Sequence, residues 1–262
     1  MSAEERTAVE MEQHGDVTVR AVGDVAEIEI HRPPANYFDV TLLGDLVAAV
    51  DRAAGEGARA AVICSEGRHF CAGLDFGSAG RPTPEALTDL YGHATALVAA
   101  PVPLVAAVQG AAIGGGLGLA VACDFRTAAP TSRFSANFTR LGFHQGFGLS
   151  VTLPAVVGSQ RALDLLTTGR RIGGEEAQAI GLCDRLGEDP RAEAHALAAE
   201  LAAAAPLAVA AVRATLRGDL VSRFGAAVAH EREQQVRLMD SEDFGEGIAA
   251  SLERRPPQFR GR

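Results

Sequence analysis

The stretch AAIGGGLGLAVACDF occupies residues 111 to 125. Gly114, Gly115 and Gly116 follow an apolar run, Gly118 comes two places on, and an apolar helical pattern then begins. A backbone stripped of side chains at a helix start lets another group approach closely, and its N–H groups, aided by the helix dipole, suit a developing negative charge. No charged side chain lies between Gly110 and Asp124, so the stretch offers donors but no acid or base of its own. A dinucleotide fingerprint would need a further glycine at 119 or 121, where Leu119 and Val121 stand. A tight turn with close helix packing is the plain alternative.

A second stretch, RHFCAGLDF (68 to 76), also leaves a buried strand through a small-residue turn, Ala72-Gly73. Two strand ends at one carboxyl edge of a parallel sheet could each lend an N–H to an oxyanion. Cys71 and His69, two residues apart in an extended segment, share a face and do not form a dyad, so Cys71 reads as a small buried thiol. Glu66 reads as solvated. His144, in LGFHQGFG with Gln145, could act as acid or base near neutral pH or be held in a loop or subunit contact. Arg32, Arg254 and Arg255 suit phosphate oxygens or open solvent equally.

These residues need elements to position them. DVTVRAVGDVAEIEI alternates about Gly23-Asp24 as a hairpin, TLLGDLVAAVDRAA has helical spacing, and ARAAVICS is a short buried strand. A helix from about Pro84 to Ala99, the strand PLVAAVQG, the glycine turn with its short helix, and the strand DFRTAA follow. Alternation of strands and helices predicts a layered α/β core with parallel pairing. From Ser159 the chain is patterned as helices, Pro206 punctuates, and Ser241 with Glu242 and Asp243 reads as a capped helix start.

At 262 residues with 47% hydrophobic content the chain can bury an extensive core. A net charge of -9 argues against nucleic acid and for small-molecule chemistry. All 24 basic residues are arginine, which excludes a P-loop lysine, a Schiff base and a lysine general base. Four cysteines without CxxC spacing, a charged N-terminal decapeptide and the absence of a spanning apolar run predict a reduced, cytoplasmic protein without membrane contact.

The pair FCAGLDF and GAAIGGGLGLAVACDF resembles the paired signature of the crotonase superfamily, which includes the enoyl-CoA hydratases and isomerases. HRPPANYFD resembles its early coenzyme-A loop, GRRIGGEEAQAIGLCDRL the segment after the active site, and FGEGIAASLERRPPQF its C-terminal helix, so the resemblance spans about residues 15 to 259. It implies a ββα spiral core over 1–200, a helical C-terminal oligomerisation region over 201–262, and homotrimers or dimers of trimers. It further implies an acyl-CoA thioester as substrate or ligand, with no separate cofactor or metal. The thioester oxygen would take N–H bonds from Ala72 and Gly115, and the coenzyme ligand would lie against Arg32, Asn36, Tyr37, Ala72, Gly73, Leu74, Asp75, Gly114 and Gly115. Asp75 matches an acid that more often orders the loop than performs chemistry. Tyr37 stands where a small residue is usual.

The chain also departs from the pattern. Hydratases of this family carry a glutamate where this chain has Gly118 and a second at the position aligned with Phe138. General acid-base catalysis is worth about 10² to 10⁴ per group, so ordinary hydration is not expected from this helix. Two readings follow: a hydratase- or isomerase-like enzyme that stabilises a thioester enolate, with His144 as proton carrier, or a non-catalytic acyl-CoA-binding protein. An isomerase, decarboxylase or thioester hydrolase using other residues stays open.

Overall fold

The computed structural model describes residues 11–78 and 80–262. Val17–Val22 (β2) and Val25–Ile30 (β3) form the hairpin about Gly23-Asp24, with Val22 opposite Val25 and Val17 opposite Ile30. Met11–His14 (β1) pairs antiparallel with β2 and makes the hairpin a meander. The later strands are Ala60–Ser65 (β4), Leu104–Val108 (β5), Ala111–Ile113 (β6), Phe125–Ala128 (β7), Arg133–Ser135 (β8), Arg171–Gly173 (β9) and Arg185–Leu186 (β10). The main sheet has the order β1-β2-β3-β4-β5-β7-β10 and is parallel from β3 onward, as strand-helix alternation predicts. A second sheet, β6-β8-β9, joins the first two strands in parallel and the last antiparallel.

The parallel strands are buried on both faces, which is why β4 and β5 read as unbroken apolar runs. Their alternate residues divide between two cores. Ala60, Val62, Cys64, Val105 and Ala107 pack with Ala194, Leu197 and Ala198 of Pro190–Ala203 (α7). Ala61, Ile63, Leu104, Ala106 and Val108 face the larger core built with Val40–Gly55 (α1) and Pro84–Val98 (α2). Both helices begin on designed stops. Asp39 accepts from the Leu42 N–H at 2.8 Å, and Thr83 accepts from Ala86 ahead of Pro84, caps worth about 1 kcal/mol each.

Gly115–Ala122 (α3), Leu149–Val157 (α4), Ser159–Thr168 (α5) and Gly174–Ala179 (α6) carry the middle of the chain. Pro206–Leu238 (α8) then starts at the expected proline, and Glu242–Glu253 (α9) starts on Ser241, whose Oγ accepts from Phe244 N at 3.1 Å. Asp124, at the turn between α3 and β7, fixes α8 by receiving Arg213 and Arg217, each at 2.8 Å. No single helix among the described residues is long and apolar enough to cross a membrane.

α4 has no cap of its own at Gly148; a carboxylate from α8 supplies one. Glu231 is fully buried and accepts from the N–H groups of Gly148 and Ser150, each at 2.8 Å. Burial pushes its carboxyl up from 4.5 to about 7 against the pull of those donors. A folded pKa above the unfolded one adds stability that is full below about 4.5 and is lost as pH rises through about 7. The melting-temperature advantage of the wild type over Glu231→Gln should therefore shrink between these two pH values. Parallel melting curves across that window would refute the assignment.

Candidate active site

The two glycine-bearing turns lie in direct contact. Cys71 bridges to Ala112, with Cys71 N donating to Ala111 O at 3.1 Å and Ile113 N to Cys71 O at 3.0 Å. A Cβ on Gly116 would overlap the Cys71 carbonyl, and one on Gly73 would stand 3.0 Å from Gly115 N. Gly73 also has φ of +82°, so glycine is required there for both space and conformation. The bare backbone thus lets the turn after β4 close onto the first turn of α3.

The N–H groups at this contact are not equally free. The Ala72 N–H donates to Ala35 O at 3.0 Å and is therefore not free for a ligand, contrary to the expectation from the motif. Gly73 N donates to the Cys71 sulfur at 3.4 Å. The Leu74 N–H has no partner among the described residues, and Gly115 opens α3, where an N–H has no intrahelical acceptor. Leu74 and Gly115 both line a cleft of about 310 Å³, together with Ala72, Gly114, Tyr37 and Asp75. The loop carbonyl of Ala35 that consumes the Ala72 donor lies far back in sequence, so counting along the motif could not reveal it.

The early loop also differs from expectation. Asn36 is fully buried; its Oδ1 accepts from Arg32 N at 3.0 Å, and its Nδ2 donates to Glu66 O and His69 O at 2.9 and 2.6 Å. It pins the loop and is not available to a ligand. Arg32 is held by Asp16 at 2.6 Å and Asp39 at 2.9 Å, which neutralise it and remove it as a free phosphate fork. Arg255 is likewise occupied by Glu246 and Glu253, while Arg254 is exposed. Tyr37 remains at the cleft, its hydroxyl pKa raised by burial and by Asp75 and Cys71. Asp75 accepts from Ser78 Oγ and from the N–H groups of Ser78 and Gly77, and these bonds lower its pKa and order the loop. Burial pushes the Cys71 thiol up to about 12, in keeping with an inert core residue.

One end of the cleft is lined by aromatic rings. A side chain at Gly118 would overlap Phe147, which is 1% exposed and packs on Phe38 with ring centroids 5.4 Å apart. Phe147 has φ of +59°, a conformation that costs a non-glycine residue about 1–3 kcal/mol and persists only where packing enforces it. Phe138 is buried in the lining and meets Phe143 at 5.5 Å. His144 is not brought to the cleft. Its Nδ1 lies 2.8 Å from Gln145 O and its ring is 6.0 Å from that of His230 on α8, while burial lowers its pKa.

Sequence reasoning missed several lining residues. Tyr91 donates to Gln235 Oε1 at 2.6 Å, and Gln235 Nε2 donates to His144 O at 3.0 Å, which ties α2 and α8 to the loop before α4. Both tyrosines of the chain line the cleft, a scarcity that composition displays. Asn137 and Arg171 also line it, brought there by β8 and β9, whose three residues each are too short to show a period. The arrangement offers two backbone donors over an apolar chamber, with an alcohol, an amide and a cation at its margins.

Sequence and fold both have known relatives. Residues 20–262 match the enoyl-CoA hydratase/isomerase family. A probable enoyl-CoA hydratase of Bacillus subtilis is 35% identical over 255 residues, covering 90% of this chain and 95% of that protein. One from Rhodobacter capsulatus is 38% identical, covering 91% and 95%. Among solved structures, an enoyl-CoA hydratase from Mycobacterium avium subsp. paratuberculosis superposes with a TM-score of 0.84 at 28% identity, covering 94% of this chain and 99% of the other. An enoyl-CoA hydratase/isomerase from Pseudoalteromonas atlantica gives 0.83 at 29% identity, covering 94% and 100%. By its sequence and its fold, the chain belongs to the enoyl-CoA hydratase/isomerase family of enzymes within the crotonase superfamily.

Proposed function

We propose that the cleft binds an acyl-CoA thioester with its carbonyl oxygen between the N–H groups of Leu74 and Gly115, and stabilises the enolate formed there. The observation that carries this reading is the pair of donors left without partners where two backbone turns touch. One such donor is worth about 10² to 10³ in rate. Gly118 under Phe147, with Phe138 beside it, removes the two carboxylates that would activate water, so hydration by that route is not the chemistry of this site. A homotrimeric or hexameric assembly is part of the same reading, supported by Leu207, Val212 and Leu216, which stand exposed along the first half of α8.

A second reading, a binding protein that has kept the oxyanion donors and lost turnover, is favoured by the burial of Phe147 in the position of a missing acid. Calorimetry with crotonyl-CoA and loss of the enoyl absorbance separate the two. Binding with measurable turnover supports the enzyme, binding without it supports the second reading, and absence of binding sinks both. His144→Ala should leave any turnover within about twofold, since general acid-base loss costs about 10² or more. A collapse of turnover would make His144 the proton carrier despite its position.

The Gly118-Phe147 pair gives a further test. Gly118→Glu alone should lower stability by about 1–3 kcal/mol through overpacking. Adding Phe147→Gly, which suits the φ of +59°, should relieve that overlap, so that the two changes together cost less than the sum of each alone. Equal stability of the single variant and the wild type would show that Phe147 does not fill that space.

A further inference from the structure

The lining of the cleft contains two charged residues, Asp75 and Arg171. Asp75 is already bound by Ser78 and by the Gly77 N–H. Arg171 has no ion pair or side-chain hydrogen bond among the described residues. Its neighbour Arg170 takes both local carboxylates, Asp164 at 2.9 Å and Glu176 at 2.8 Å. Arg171, the first residue of β9, is exposed at the margin of the cleft, and its guanidinium is left there without a carboxylate partner among the described residues.

The backbone under Arg171 is fixed while its side chain is free. Ser135 Oγ donates to Gly169 O at 3.0 Å and Arg140 Nε to Thr168 O at 2.9 Å. Gly169, at φ of +56°, turns the chain against Asn137. Ile113, Ser135 and Arg171 are in register across β6, β8 and β9, about 10 Å from first to last at ordinary strand spacing. Gly114 and Gly115 follow Ile113, and Asn137 follows Ser135 at one remove. The Asn137 Oδ1 lies 3.1 Å from where a Cβ on Gly114 would be, and its carboxamide has no partner among the described residues. One cation and one amide, both unpaired, therefore stand along a line that starts at the proposed oxyanion donors.

We infer that this cleft selects acyl-CoA thioesters whose acyl group carries a carboxylate, with Arg171 and Asn137 as its recognition residues. The inference rests on the acyl-CoA reading above. A guanidinium fork matches a carboxylate in charge and geometry, and an amide adds a neutral donor. The rest of the lining is largely aromatic and aliphatic, so an acyl carboxylate would find no competing cation there.

The test is calorimetry of the full chain with malonyl-, succinyl- and glutaryl-CoA, each against the uncharged thioester of equal carbon number, and with free coenzyme A. At least one charged member should bind about tenfold or more tightly than its uncharged partner, the size expected of a charge-assisted pair. Arg171→Gln should abolish that preference and leave uncharged thioesters and free coenzyme A unaffected. Asn137→Asp, which sets a negative charge in the same lining, should weaken the charged thioester alone. Equal binding of every pair overturns this inference while leaving the acyl-CoA reading intact. If Arg171→Gln weakens free coenzyme A to the same degree, the arginine serves a coenzyme phosphate and the inference falls. Failure of every thioester to bind removes the acyl-CoA reading and this inference with it.

Discussion

The contact between the turn after β4 and the first turn of α3 is the constraint on which the site depends. The Cys71 carbonyl occupies the space that a side chain at Gly116 would need, and Gly73 lies against the Gly115 N–H. Close approach of two backbones leaves each with N–H groups that the other cannot satisfy, and buried polar groups without partners are costly. Such donors persist where an outside acceptor completes them. The surrounding cores, with α7 on one side of the sheet and α1 and α2 on the other, hold these loops in place.

A second constraint comes from α8. Asp124 anchors its first half through two arginines, and Glu231 caps α4 from its second half. Between them they set the height of the loop that carries Phe143, Gly146 and Phe147. Gly146 has no room for a side chain because the Tyr91 hydroxyl and Gln235 amide press on it. The aromatic end of the cleft is therefore shaped by a helix remote in sequence and not by the main sheet.

Much of this was legible in the sequence and some was not, for physical reasons. The hairpin, α1, α2, the buried strands and the Ser241 cap follow from periodicity and local caps, which act over a few residues. The two glycine turns were likewise readable. The partners of Ala72, Asn36 and Arg32 were not, because each is decided by one hydrogen bond to a segment set by tertiary packing. The second sheet escaped because three-residue strands carry no alternation, and Arg171 and Asn137 escaped with it. His144 shows the converse limit: a titratable residue in a glycine-rich loop invites a chemical role, while its ring lies beside His230 and outside the cleft lining.

The fit of Phe147 over Gly118 limits which substitutions the chain can accept singly. A carboxylate introduced at position 118 meets an occupied space, and a smaller residue at 147 alone leaves a void beneath Phe38. Either single step passes through a less stable protein, because cores tolerate neither overpacking nor cavities cheaply. The two positions are therefore coupled: 118 has room for nothing larger than glycine for as long as 147 carries a ring, and variation meets less resistance at the exposed margins of the cleft.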